Sequence, residues 1–152
     1  MEYEATSSAW SALTVLTVIG GLAVAVFLVW LVRKVSGVIA RPEMYGISRQ
    51  EVKSRWENIR NTSRQGTMGA KLAILEADAL LDAALKSMTM PGESLAERLR
   101  VARYKYPKLN KVWWAHKLRN QLVHESSFQV GSRQAKQALD EFERALKTLN
   151  LL

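Results

Sequence analysis

The residues best suited to chemistry lie together near the C-terminus, in the stretch LNKVWWAHKLRNQLVHES at residues 109–126. If this stretch is a helix, which turns about 100° per residue, His116, Asn120 and His124 share one stripe and Arg119 flanks it. An imidazole exchanges protons near neutral pH, and a guanidinium matches the geometry of a phosphate. The spacing therefore predicts one helix face that carries groups suited to proton transfer and to binding a phosphate.

Cleavage of RNA through its own 2′-hydroxyl needs a base, an acid, and a cation that stabilises charge on the phosphoryl oxygens. His116 and His124 would be separated by roughly 12 Å along a helix axis, which is too far for both to flank one phosphate. Two copies of His124 facing each other across a twofold axis would supply both proton-transfer groups. Catalysis at this face therefore predicts a homodimer.

The hexapeptide Arg119-Asn120-Gln121-Leu122-Val123-His124 resembles the arginine, polar residue, spacer, histidine motif of the HEPN domain family. The resemblance covers residues 70–152 and includes the acid-punctuated segment LEADALLDAALK and the Pro-Gly break after it. It implies a small helical bundle and, in many members, a metal-independent ribonuclease of toxin, antiviral or RNA-processing systems, with its active groove between two protomers. Carried over by residue, Arg119 would steady the phosphate, His124 would transfer the proton and Asn120 would orient a neighbour. An acidic residue on an earlier helix often accompanies the motif, which makes Asp78 or Asp82 the auxiliary candidate, beside His116.

Each of these residues also has an ordinary structural explanation. A histidine near a helix C-terminus is stabilised by the helix dipole alone, and Asn120 could simply hydrogen-bond His124. Asp78 and Asp82, with Lys86 following, would form a solvated ion-pair strip. The second hypothesis is therefore a non-catalytic helical adaptor that dimerises and presents its bundle to an unidentified protein partner or to RNA.

A second stripe of the same helix is apolar and predicts the side that faces the core, formed by Trp114, Ala115, Leu118 and Leu122. Trp113 falls beside the histidines, where it would stack a base, make a dimer contact or pack against a neighbouring helix.

A basic run without any acidic residue precedes the motif and leads into Arg119; its members are Arg98, Arg100, Arg103, Lys105, Lys108, Lys111 and Lys117. Tyrosine and tryptophan side chains are interleaved with these cations. The combination predicts binding of phosphates, either along an RNA backbone or at an anionic lipid surface. The charge pattern does not choose between the two.

The composition bounds the chemistry further. The chain has 152 residues, a formal net charge of +8 and no cysteine, which excludes disulfides, a cysteine nucleophile and a thiolate metal site. With only two histidines, a zinc site would depend on carboxylates, so we expect no metal and no cofactor.

Residues 10–32 form an apolar run that is long enough to cross a bilayer as a helix. Trp10 and Trp30 lie near its two ends, where aromatic rings favour the membrane interface. A cleaved signal peptide would need a basic start and a shorter apolar run, whereas this chain begins MEYE. The run is therefore interpreted as a single-pass anchor.

The charges that flank the run predict its orientation. Glu2 and Glu4 precede it, and Arg33, Lys34 and Arg41 follow it. By the positive-inside rule, residues 1–9 lie outside and the C-terminal domain is cytoplasmic.

The rest of the chain predicts an all-α fold, a four- to five-helix HEPN-like bundle after the transmembrane helix. Residues 33–47 form a connector, residues 48–65 a basic amphipathic helix and residues 69–152 the bundle. The basic helix would pack on the bundle, or would lie on the inner leaflet. Within the bundle we predict helices over 70–90, from 94 to 104, over 109–125 and from 132 onward.

Overall fold

The computed structural model describes residues 16–33, 43–125 and 127–152, and within them it confirms the all-α class, with no strand. The chain divides into two compact units between Ala40 and Arg41. The described residues contain six α helices. Their bounds are α1 Leu16–Arg33, α2 Arg49–Ser63, α3 Gly66–Ser87, α4 Leu95–Lys105, α5 Val112–His124 and α6 Ser132–Thr148.

Helix α1 is apolar and entirely unburied, with 18 residues and a mean hydropathy of 2.2. At 1.5 Å per residue it is about 27 Å long, close to the thickness of the hydrocarbon core of a bilayer. It is therefore long and apolar enough to span a membrane. Trp30 is exposed and stacks on Phe27, with ring centroids 5.9 Å apart. Trp10 and Lys34, which the sequence places at the interfaces, lie outside the described residues.

Helices α2 and α4 follow serine caps at residues 48 and 94, where the sequence predicts that these helices start. Ser48 Oγ accepts a hydrogen bond from Glu51 N at 3.1 Å, and Ser94 Oγ accepts one from Glu97 N at 3.3 Å. Such caps satisfy backbone donors that the first turn leaves free. The apolar side of α2 is buried in the core of the domain through Val52, Trp56 and Ile59, as the packing interpretation of this basic helix predicts.

Helix α3 is the central helix and contacts α2, α4, α5 and α6. It begins at Gly66 rather than at residue 70, because the chain turns within Arg64 and Gln65 alone. Gly66 has φ of +73°, a left-handed conformation that glycine adopts without strain. A Cβ at Gly69 would collide with the carbonyl oxygen of Thr62, so this glycine lets the end of α2 approach α3 closely.

The segment before α2 is tied to the far end of α3. Tyr45 N donates to the Ser87 carbonyl at 2.7 Å, and Ile47 N donates to Ser87 Oγ at 3.0 Å. Gly46 lies between them, where a Cβ would stand only 2.5 Å from Ser87 Oγ. The Tyr45 hydroxyl donates to Glu43 Oε2, which raises the pKa of this tyrosine above its ordinary value.

A short 3-10 helix, Pro107–Lys111, leads into α5. The start of α5 lies beside the end of α6, since Lys111 and Val112 share a cleft with Ala145 and Thr148. The starts of α3 and α6 lie beside each other, since Ala70 and Ala135 share another cleft. Helix α5 is therefore antiparallel to both α3 and α6.

Candidate functional site

Helix α5 presents an apolar side to the core and polar groups to its flanks. Val112, Ala115 and Leu118 are buried, at the spacing that places side chains on one helix face. Trp114, predicted to belong to this face, is instead 38% exposed. Its neighbour Trp113 is half-buried, and its ring meets that of His116 edge-on at 6.1 Å.

His116 is buried, which corrects the wheel-based prediction of an outward stripe. It is only 8% exposed, and its Nδ1 lies 2.7 Å from Asp78 Oδ1 on α3. Asp78 is buried as well, so it is not part of a solvated strip. A buried polar group needs a hydrogen-bond partner, and here His116 and Asp78 are each other's partner. A wheel drawn for α5 alone could not show that α3 brings a carboxylate against this side.

Asn120 and Arg119 extend the network along α5. Arg119 Nη1 donates to Asn120 Oδ1 at 3.0 Å, and Asn120 Nδ2 lies 3.3 Å from His116 Nε2. Because a guanidinium can only donate, the amide oxygen must face Arg119 and the amide nitrogen must face His116. Nε2 therefore accepts, the ring proton is on Nδ1, and Nδ1–H donates to Asp78. Both ring nitrogens of His116 are thus occupied.

Arg119 also forms an ion pair with Asp78 across the helix interface, with 3.3 Å between Nε and Oδ2. The Nε–H is not aligned for a hydrogen bond, so this contact is electrostatic. The Arg119 side chain is 32% exposed, and a guanidinium has several donors. Asp78 and Asn120 therefore fix the guanidinium at the surface while some of its N–H groups stay available to a ligand.

His124 is the last residue of α5 and is exposed. It makes no hydrogen bond or ion pair with any residue that the structure describes. The structure therefore joins Arg119 and Asn120 to His116 and Asp78, and it leaves the motif histidine free at the helix C-terminus. The contact between Asn120 and His124 considered from the sequence is not formed.

Asp82, one turn beyond Asp78 on α3, belongs to a different pair. Its Oδ1 lies 2.6 Å from Arg98 Nη1, and the Arg98 side chain is buried. Arg98 is therefore not on the basic surface predicted from the sequence. The position of Arg98 in a run of exposed cations gives no indication that it pairs with Asp82, which lies 16 residues earlier in the chain.

The other cations of the basic run are exposed, namely Arg100, Arg103, Lys105, Lys108, Lys111 and Lys117. Lys108 and Lys111 line a cleft of about 440 Å³ together with Arg144 and Lys147 from the end of α6. The sequence pattern does not reveal these two α6 cations, since they lie 27 and 30 residues after Lys117, the last lysine of the run. Their only sequence signal is their place in the last two turns of an amphipathic helix.

Among the described residues, no group of three or more His, Asp or Glu side chains is arranged to hold a metal ion. Comparisons with protein-family models, with curated proteins and with solved structures gave no match to this chain.

Proposed function

We propose that this protein is a single-pass membrane protein whose cytoplasmic HEPN-like domain is a metal-independent endoribonuclease that acts as a dimer. The observation that supports this most directly is the state of α5. A guanidinium is held at the surface by the buried carboxylate of Asp78 and by Asn120, and an unpartnered imidazole is exposed on the same helix. These are the two kinds of group that cleavage through the 2′-hydroxyl requires.

In this proposal Arg119 binds the scissile phosphate. Its position is set before substrate arrives, because Asp78 and Asn120 contact it from the protein side. Donors fixed in this way stabilise developing charge without reorganising during the reaction. Asp78, His116 and Asn120 are then positioning residues, and Arg119 is the catalytic cation.

His124 is the proton-transfer group, since both nitrogens of His116 are engaged within the network. A single imidazole cannot act as base and acid at the same moment. A second copy of the chain supplies the other imidazole across a twofold axis, so the active unit in this proposal is a homodimer.

The orientation rests on the charges that flank α1. Glu2 and Glu4 precede the apolar run, and Arg33 follows it, which favours a cytoplasmic domain. The chain contains no cysteine, so a single introduced cysteine reports the topology. In intact cells an impermeant thiol reagent should label Ser7→Cys, and it should label Ser54→Cys only after lysis. The opposite pattern would reverse the orientation.

The test of catalysis uses the full chain in detergent, mixed RNAs and excess chelator. Wild type should cleave RNA and leave 2′,3′-cyclic phosphate ends, and DNA should stay intact because it lacks the 2′-hydroxyl. General acid–base catalysis contributes about 10²–10⁴-fold, so His124→Ala should lower the rate by at least about 100-fold. Gln121→Ala, an exposed substitution on the same helix that belongs neither to the proposed catalytic residues nor to the basic run, is the matched control. Equal cleavage by wild type and His124→Ala, or none by either, would refute the proposal.

The adaptor alternative is supported by a different observation. The polar groups of the network contact one another, as they would in a purely structural network; its members are Asp78, His116, Arg119 and Asn120. In that case substitution of Arg119 changes the free energy of unfolding, and His124→Ala changes neither stability nor any turnover. A loss of turnover at unchanged stability in His124→Ala would exclude the adaptor.

A further inference from the structure

We propose that the outward face of α4 and the adjoining 3-10 helix form a docking surface for an anionic phospholipid bilayer. The proposal rests on the membrane anchor of the proposed function, but not on ribonuclease activity. The sequence left this basic run open between RNA and lipid. Three features favour lipid: the arrangement of the side chains on this face, the lack of carboxylate partners for its cations among the described residues, and the short segment that joins the domain to the proposed anchor.

Helix α4 has a buried side and a basic side. Leu95, Leu99 and Ala102 face the core, and Arg98 is held by Asp82. Beyond the first turn, which carries the exposed Glu97, the outward side is a set of cations interleaved with two apolar side chains: Arg100, Val101, Arg103, Tyr104 and Lys105. Tyr104 is 79% exposed and Val101 is 40% exposed. Aromatic and aliphatic groups among cations are typical of helices that lie in a membrane interface.

The cations of this face have no carboxylate partners among the described residues. By contrast, α2 and α6 pair most of their cations within the helix, as in Arg55–Glu51 and Lys136–Asp140. On α4, Arg103 instead lies over the ring of Tyr104, with 5.6 Å between its Cζ and the centroid. The acidic residues of this region, Glu93 and Glu97, are at the start of α4, where Glu97 Oε2 accepts from Glu93 N. The positive charge at the other end of the helix is therefore uncompensated.

The same surface continues into the cleft between the 3-10 helix and α6. Lys108 and Lys111 line it with Arg144 and Lys147, and Val112 and Ala145 form part of its wall. The two α6 cations of the lining are paired within their helix, Arg144 with Glu141 at 2.6 Å and Lys147 with Glu143 at 2.9 Å. Lys108 and Lys111 have no such partner among the described residues, and a concave site of about 440 Å³ with these two lysines and an apolar wall suits the phosphate and glycerol of a lipid headgroup.

The tether makes a bilayer the partner that this face meets most often. Only residues 34–42 separate α1 from the described start of the domain. An extended chain covers at most about 3.6 Å per residue, so the tether reaches no more than about 36 Å. Tethering of this kind raises the effective concentration into the millimolar range. Weak attraction of each cation to an anionic leaflet is then enough for stable docking.

The experiment uses the full, naturally cysteine-free chain in lipid nanodiscs. Tyr104→Cys carries an environment-sensitive fluorophore, and the discs contain either phosphatidylcholine alone or about one third phosphatidylglycerol. We expect the fluorescence to rise several-fold and shift to the blue only in the anionic discs. High salt should abolish the change, because it screens exposed charges. Both leaflets of a disc are identical, so the result does not depend on topology.

Two matched variants sharpen the test. Ser54→Cys places the same fluorophore on the outward side of α2, which does not contact α4, and it should not respond. In the Tyr104→Cys background, the triple change Arg100→Gln, Arg103→Gln and Lys105→Gln should abolish the response. An equal loss of charge from α2, by Lys53→Gln, Arg55→Gln and Arg60→Gln, should preserve it.

Three other outcomes each overturn the proposal. A response at Ser54 instead of Tyr104 would mean that α2 is the membrane-facing helix. A response at Tyr104 to single-stranded RNA but not to anionic lipid would assign the face to RNA. A chain that fails to co-purify with the discs would refute the anchor itself. Loss of RNA cleavage alone would leave the lipid response unchanged, so failure of the proposed function is distinguishable from failure of this inference.

Discussion

Replacing Asp78 with asparagine removes the charge from the centre of the α3–α5 network and keeps the shape of the side chain. The carboxylate is 7% exposed and contacts two groups, His116 Nδ1 at 2.7 Å and Arg119 Nε at 3.3 Å. The amide oxygen of asparagine can still accept from His116. The substitution removes the negative charge that strengthens the hydrogen bond from His116. It also removes the negative charge that is paired with the Arg119 guanidinium.

The expected cost follows from these two losses. A hydrogen bond to a charged group contributes about 1 kcal/mol more than a neutral one. The ion pair with Arg119 adds about 1 kcal/mol, because that side chain is one-third exposed and water can partly replace the carboxylate. We therefore expect Asp78→Asn to lower the free energy of unfolding by about 2 kcal/mol. Asp78→Ala, which also leaves His116 Nδ1–H without an acceptor, should cost about 3–5 kcal/mol.

Urea unfolding of the full chain in detergent, followed by tryptophan fluorescence, measures both values. Glu76→Gln is the matched control, since this carboxylate is on the exposed side of α3 and should change stability by less than about 0.5 kcal/mol. If Asp78→Asn behaves like Glu76→Gln, the network does not hold α5 against α3. The argument that Arg119 is positioned in advance would then fail as well.

Three further predictions concern the scaffold, and urea unfolding measures each. Asp82→Ala leaves the buried Arg98 without its acceptor and should lower the free energy of unfolding by about 3 kcal/mol. Arg98→Met leaves a carboxylate that is 35% exposed, so it should lower the free energy of unfolding by only about 1 kcal/mol. If Arg98→Met were the more destabilising change, this account would be contradicted. Gly69→Ala should lower the free energy of unfolding by about 2 kcal/mol, although alanine has the better helix propensity, because the new Cβ would collide with the backbone of Thr62. Unchanged stability would show that α2 can shift without an energetic cost. Ser94→Ala should cost about 1 kcal/mol through loss of the α4 cap, and no change would mean that solvent satisfies the first turn equally well.

Local features of the fold were predictable because their causes lie within a few residues. The serines at 48 and 94 mark the starts of α2 and α4, and Gly131 precedes α6 as expected. The start of α3 was placed too late because the stretch before residue 70 has no capping side chain and two glycines. There the close approach of two helices, rather than local propensity, decides that the backbone stays helical.

The candidate site was predictable only in part, since burial of its polar members depends on residues far away in the chain. The sequence singled out Arg119, Asn120 and His116 for their places on one helix. The sequence alone could not show that His116 is buried against Asp78, or that Arg98 is buried against Asp82. Neither partner is within one turn of its cation or ring, so no periodicity reports these pairs.

The attachment of residues 45–47 to the C-terminal end of α3 has a mechanical consequence. In the proposed membrane-anchored protein, a pull on residue 43 is resisted by the packing of Met44 against the core and by the two hydrogen bonds that the carbonyl and hydroxyl of Ser87 accept. The load then passes into the longest helix of the domain, which is anchored on several sides by its neighbours. In the proposed anchored protein, tension would enter the domain through the same helix that holds Asp78 against Arg119, rather than through helix α2 alone.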